Sequence, residues 1–210
     1  MTNLPRPCLM LVTEPSPRLT EIITAAVKGG VDVVQWREKA ANRAKYRQRF
    51  HAIHSAAGEA SVIVNGNLEA ALACGARRIH LPEKSLPLGV IRWRIGAGGL
   101  IGKSVHSVEG AQRAQADGAD YIIAGTIFAS SSHPDIEPMG LDFLREVCAS
   151  VTVPVLAIGG VTPESIGDCV KAGASGAAVL SPMMRAENPT ATAQAYRLAL
   201  ETAWEERKCS

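Results

Sequence analysis

The stretch Val155-Leu156-Ala157-Ile158-Gly159-Gly160-Val161-Thr162-Pro163-Glu164 decides how this chain is read. An apolar run of strand type stops at paired glycines, and Thr162-Pro163 then offers an N-cap followed by a first helical residue. A short helix later, Ala177-Ala178-Val179-Leu180 ends at Ser181 in a similar way. Two strand ends beside helix starts present bare backbone N–H groups, and in a βα barrel the loops after the last two strands are the habitual phosphate site. Gly159, Gly160 and Ser181 are therefore candidate phosphate ligands, although two buried strands capped by glycine turns would leave the same pattern.

The strand-turn-helix unit recurs upstream. A helix tail, a glycine, a small or β-branched residue and an apolar strand appear at 28–35 (KGGVDVVQ), 73–80 (ACGARRIH), 116–123 (ADGADYII) and 171–179 (KAGASGAAV). Gly30, Gly75, Gly118 and Gly173 fit helix C′ positions and lie 45, 43 and 55 residues apart. Since a βαβ unit takes about 30 residues, each interval holds two βα units. The alternate strands fill in, so that strands are expected near 8–12, 31–36, 61–65, 77–81, 100–105, 120–125, 153–158 and 175–180. Helices are expected near 19–28, 41–57, 67–73, 88–93, 108–116, 140–149, 163–172 and 190–206. Eight strands alternating with eight helices predict a single (β/α)₈ TIM barrel over residues 1–210, and the four-fold echo favours closure over an open doubly wound sheet. The surplus of the longest interval falls in 129–140 (ASSSHPDIEPMG), which reads as a mobile loop over the barrel mouth that a ligand would order.

The composition suits such a fold: 210 residues, 47% apolar and 20% charged. A net charge of +2 and the absence of a basic aromatic stripe argue against nucleic acid, and RAKYRQR (43–49) reads as a solvated helix face. Cys8, Cys74, Cys148, Cys169 and Cys209 are odd in number and form no C-x-x-C pair, as in reduced packing thiols. Without a signal-like start or an apolar run of roughly 18 residues, no membrane association and a cytoplasmic location are expected.

Strand ends supply the polar candidates. Alternation along Gln35-Trp36-Arg37-Glu38-Lys39 puts Gln35, Arg37 and Lys39 on one face, an amide and two cations suited to phosphate or pyrophosphate. Asn65 ends the third strand, where Asn65-Gly66 is equally an ordinary turn. His80 ends the fourth as a satisfied core or rim histidine, while Ser104 and His106 alternate onto one face of the fifth and Ser107 can cap the helix after it. Ser130, Ser131, Ser132 and His133 bring hydroxyls and a titratable group from the long loop. There is no G-x-S-x-G elbow for a nucleophilic triad and no D-x-D or H-x-x-x-H set for a metal, so no metal ligands are assigned.

Taken together, Q-W-R-E-K (35–39), V-N-G-N-L-E-A-A-L (64–72), I-H-L-P (79–82), G-K-S-V-H-S (102–107), G-A-D-Y-I-I-A-G-T-I-F (118–128), AIGGVTPE (157–164) and A-V-L-S (178–181) resemble the thiamine phosphate synthase and TenI superfamily. The resemblance implies that Gly159, Gly160 and Ser181 hold a thiazole phosphate. It implies that Gln35, Arg37, Lys39 and Asn65 meet pyrimidine and pyrophosphate, and that Ser104 stands on the pyrophosphate side. Ser130, Ser132 and His133 occupy loop positions that synthases fill with Thr-x-Thr-Lys. It also implies a homodimer.

Synthases of this type carry acidic residues for Mg²⁺ where this chain has Gly66 and Ser85. The N-G turn and L-P-x-x-S loop instead resemble TenI proteins, which include a thiazole tautomerase. The reading this favours is a TenI-like isomerase that binds a carboxythiazole phosphate and moves a proton without a cofactor. The tautomerase base position is Thr126 here, so His106 or His133 is expected to act as the base. The alternatives are a synthase joining pyrimidine pyrophosphate to thiazole phosphate with Mg²⁺ held through water or Glu83, and a non-catalytic binder of the phosphate.

Overall fold

The computed structural model describes residues 4–38, 43–130 and 137–209. Its strands are β1 (Cys8–Val12), β2 (Val33–Trp36), β3 (Ser61–Asn65), β4 (Arg78–Leu81), β5 (Leu100–Val105), β6 (Tyr121–Gly125), β7 (Val155–Ile158) and β8 (Gly176–Val179). All pair in parallel with their sequence neighbours, and β8 returns to β1 with Leu9 opposite Ala177. The result is the closed (β/α)₈ barrel that the repeat predicts.

Helices α1 (Leu19–Lys28), α2 (Arg43–Ala57), α3 (Leu68–Ala73), α4 (Leu88–Ile95), α5 (Val108–Ala116), α6 (Gly140–Ser150) and α7 (Ile166–Lys171) connect the strands. After β8 come α8 (Ser181–Met184) and α9 (Pro189–Lys208).

Strands buried on both faces need apolar residues at successive positions, which is why they read as continuous runs. Inward residues such as Met10, Val33, Ile63, Tyr121, Ile123 and Leu156 fill the barrel. Outward ones such as Leu11, Val34, Trp36, Val64 and Ile122 pack beneath the helices. In α1 the buried residues Leu19, Ile22, Ile23 and Ala26 fall at helical spacing, so a single stripe meets the sheet. At the N-terminal floor, Asp32 accepts from Leu9 N at 2.8 Å and pairs with Arg197 of α9. The preceding residue of the same helix, Tyr196, donates its hydroxyl to Val161 O at 2.8 Å and steadies the turn after β7.

Two expectations change. The eight expected helices become nine among the described residues, because Ser181 does not merely end a strand but opens the short helix α8. Pro182 suits its first turn, where a missing N–H costs nothing. Regular α7 begins at Ile166 rather than at Pro163, with Ser165 at its N-cap and no side-chain cap. Thr162 instead closes the turn before it: its Oγ1 accepts from Ser165 N at 3.3 Å, while Ser165 Oγ accepts from Thr162 N at 2.9 Å.

Candidate active site

A cavity of about 750 Å³ opens at the C-terminal ends of the strands. Val12, Ile123, Ile158 and Ala178 supply its apolar lining. The polar lining gathers Gln35, Arg37, Asn65, Ser104, His106, Thr126, Ser130, Gly159, Gly160 and Ser181 around one space. Lys39, Ser132 and His133 lie outside the described residues, as does half of the expected loop over the mouth. A smaller recess shares Arg37 and Asn65 with the main cavity and extends it between the loops after β2 and β3.

The strand parity expected at 35–38 is realised. Gln35 is buried inside the barrel, Trp36 packs outward against Tyr46, and Glu38 pairs with Arg49 of α2 at 2.6 Å. Thr13 joins the ends of β1 and β2: its N–H donates to Gln35 O at 3.0 Å and its Oγ1 accepts from Arg37 N at 3.1 Å. Asn65 donates through Nδ2 to Gln35 Oε1 at 2.7 Å, while Gly66 turns with φ +74° and Asn67 caps α3 by accepting from Ala70 N. The turn reading of Asn65-Gly66 is realised, and Asn65 lines the cavity.

The opposite side is made of backbone. Gly159 and Gly160 have φ of +93° and +63°, a region open to glycine and costly to residues with a Cβ. A Cβ at 159 would overlap Thr126, and one at 160 would overlap Ala129 O. This tight apposition is held by Ile127 N and Phe128 N, which donate to Ile158 O and Gly159 O, each at 2.9 Å.

His80, read from sequence as a core or rim histidine, is 1% exposed and also lines the cavity. Its Nε2 lies 2.8 Å from Ser104 Oγ and its Nδ1 lies 3.1 Å from Tyr121 Oη. Burial, with a smaller contribution from Lys103, lowers its pKa to about 3, so the ring is neutral at ordinary pH. Tyr121 was missed altogether, although its parity with Ile123 and Gly125 in the sixth strand turns it inward. His106 lies at the rim, where its Nδ1 is 3.0 Å from Glu83 Oε2.

The donor set does not fit a resident Mg²⁺, which prefers several oxygen anions. Among the described residues, Glu83 is the one carboxylate of the main cavity, and it is bonded to His106. In the side recess Glu38 pairs with Arg49 and Glu69 with Arg94. Ser85 Oγ accepts from the Lys103 ammonium at 2.5 Å, so a cation already stands at the loop after β4. No cluster of three or more His, Cys, Asp or Glu suited to a metal occurs among the described residues. None of their helices is long and apolar enough to cross a membrane.

Fold and mouth together define a (β/α)₈-barrel protein with a ligand-sized cavity at the C-terminal ends of its strands. The family model described as thiamine monophosphate synthase matches residues 9–183, and the chain belongs to that family. It is 33% identical over 192 residues to a protein named thiamine-phosphate synthase from Shouchella clausii, covering 90% of this chain and 92% of the relative. A Methanoculleus marisnigri protein of the same name is 39% identical over 181 residues, covering 85% and 86%. The solved structure of a thiamine phosphate pyrophosphorylase from Pyrococcus furiosus superposes with a TM-score of 0.83 at 30% identity, covering 93% of this chain and 96% of that one.

These relatives overturn the expectation of a TenI-like thiazole tautomerase. That reading let the residues at 66 and 85 outweigh the rest of the chain, whereas the likeness to synthases spans nearly all of it. It also required a proton-abstracting base, and position 126 is threonine.

Proposed function

We propose that this protein is a thiamine-phosphate synthase that joins pyrimidine pyrophosphate to thiazole phosphate and releases pyrophosphate. The observation that carries the reading is 33–39% identity to proteins of that name over 85–90% of the chain. In the reaction the C–O bond of the pyrimidine pyrophosphate breaks with its electron pair leaving on pyrophosphate, and the thiazole ring nitrogen supplies the pair for the new C–N bond. No proton is taken from carbon, so the chemistry asks for no general base, consistent with Thr126.

What such a reaction asks of the protein is alignment of two phosphorylated reactants and donors for the charge that grows on the leaving group. On this reading Gly159, Gly160 and Ser181 receive the thiazole phosphate. Arg37, Asn65 and Ser104 face the pyrophosphate, Gln35 meets the pyrimidine, and Thr126 and Ser130 border the space between. Lys39, Ser132, His133 and the rim residue His106 add donors rather than a base. The resemblance attaches Mg²⁺ to this reaction, but the described donors do not fit it and no step here runs through a metal. Residues 1–210 are taken as one domain, and a homodimer follows from the resemblance.

The test is to incubate the purified protein with both substrates, in Mg²⁺ and in parallel with a chelator, and to quantify thiamine phosphate and pyrophosphate. Equal amounts of the two products are expected. If neither sample forms thiamine phosphate, the proposal is wrong.

A further inference from the structure

Beneath the mouth, five polar side chains from five consecutive strands form a pair, Asn65 with Gln35, and a line, Tyr121 to His80 to Ser104. Asn65 donates to Gln35 Oε1 at 2.7 Å, and Gln35 Nε2 donates to Met10 Sδ at 3.6 Å. Tyr121 meets His80 Nδ1 at 3.1 Å, and His80 Nε2 meets Ser104 Oγ at 2.8 Å. Tyr121 and His80 are buried. Gly102, paired with Tyr121 across β5 and β6, makes room for the phenol: a Cβ there would overlap its ring. A bulky buried tyrosine has therefore been fitted under Ser104, with its hydroxyl aimed at the imidazole.

The line has a direction. Among the described residues the hydrogen bond of the Tyr121 hydroxyl is to His80 Nδ1, and a buried O–H left without an acceptor is costly. The phenol then spends its own proton on His80 Nδ1. A neutral imidazole has one N–H, which consequently sits on Nε2 and points to Ser104 Oγ. With one lone pair of Oγ engaged, the Ser104 O–H turns into the cavity that Ser104 lines. Were the line reversed, Ser104 would give its proton to His80 and show only lone pairs to an incoming anion.

The geometry points to His80 as a positioning residue, whose Nε2–H, set by Tyr121, holds Ser104 as a hydrogen-bond donor to the pyrophosphate group. The identity of that anion rests on the proposed function; the tautomer does not. Donors fixed in advance by a packed second layer lose less on reorganising when charge develops.

The first arm of the test is a two-bond proton–nitrogen NMR correlation on the full chain labelled with ¹⁵N-histidine. His80 should show the Nε2–H tautomer alone and should not titrate between about pH 5 and pH 9, as expected for a buried neutral ring. An Nδ1–H tautomer, or titration in that range, overturns the proposal. The second arm is a double-mutant cycle on kcat between Tyr121→Phe, which keeps the ring, and Ser104→Ala. Tyr121→Phe should lower kcat about tenfold in the parent and leave it unchanged once Ser104 is alanine, the mark of one shared interaction. An equal loss in both backgrounds, or none in either, overturns it. Should the parent make no thiamine phosphate, the proposed function fails by itself. The cycle is then run on affinity for inorganic pyrophosphate, and the tautomer still decides the relay.

Discussion

The two sides of the mouth are built from different materials. After β7, the site is built from backbone: Gly159 and Gly160 at positive φ, pressed against the strand-six loop, with Tyr196 bracing the turn from behind. From β2 to β6, it is built from side chains, with Asn65 bonded to Gln35, and Tyr121, His80 and Ser104 linked in turn. A backbone site tolerates no added atom, whereas a side-chain site tolerates changes of atom but not loss of its hydrogen-bond order.

The sharpest way to break this contrast is Gly160→Ala. The methyl would collide with Ala129 O and crowd Phe128, and the residue would have to hold φ +63°. Backbone cannot step aside as a flexible side-chain end can, so a destabilisation of about 4 kcal/mol is expected in urea unfolding, within the range of strain plus overpacking. A loss below about 1 kcal/mol would show that the two loops yield, and the backbone side would lose its rigidity in this account. Next in size is Arg37→Ala on the side-chain side. If its guanidinium meets the leaving pyrophosphate, kcat/KM should fall about a hundredfold with little change in stability, and Arg37→Lys should restore only part, because a point charge replaces a planar fork. An unchanged kcat/KM would remove Arg37 from the site.

The two sides were also unequally legible in the sequence. The backbone side announced itself, since paired glycines and a Thr-Pro pair are local signals, although Thr162 closes a turn and the regular helix starts only at Ile166. Closure was legible because the glycine-strand unit returns four times. The relay was not, because its members lie far apart in the chain and meet only through register. Tyr121 lies opposite Gly102 and His80 opposite Gly102 on the other side, pairings that no window of sequence displays. In the sequence His80 reads as a core or rim histidine and Tyr121 as part of an apolar strand. Among the helices, α8 was hidden by its four-residue length. The choice between synthase and isomerase failed for another reason: the residues at 66 and 85 describe metal binding, and metal ligands are a narrow basis for choosing a reaction.

Acid offers a graded test of the side-chain half. His80 has a folded pKa of about 3 against a reference of about 6.5, so the unfolded chain binds the extra proton first. A depressed histidine adds stability that is complete above about pH 6.5 and is lost as the pH falls from there toward 3. Between pH 7 and pH 5 the expected loss is about 2 kcal/mol. Urea midpoints at the two pH values check it, and the drop should shrink by that amount in His80→Gln. Equal slopes in the two proteins would mean that His80 is not held neutral.

The smallest expected effect concerns the rim pair His106–Glu83, which lies on the side-chain half but outside the relay. Its bond is 3.0 Å long, yet the two side chains are 56% and 39% exposed, so water and salt screen it and both ends give up rotamer freedom to form it. Glu83→Gln should change stability by less than about 0.5 kcal/mol, measured by urea unfolding at low and moderate salt. His106→Ala should lower kcat by no more than about threefold, because the proposed substitution removes no proton from carbon and asks this imidazole only for a peripheral donor. A loss of a hundredfold or more would place a proton transfer at the rim. The line between an ordered relay inside and an exchangeable pair outside would then be drawn in the wrong place.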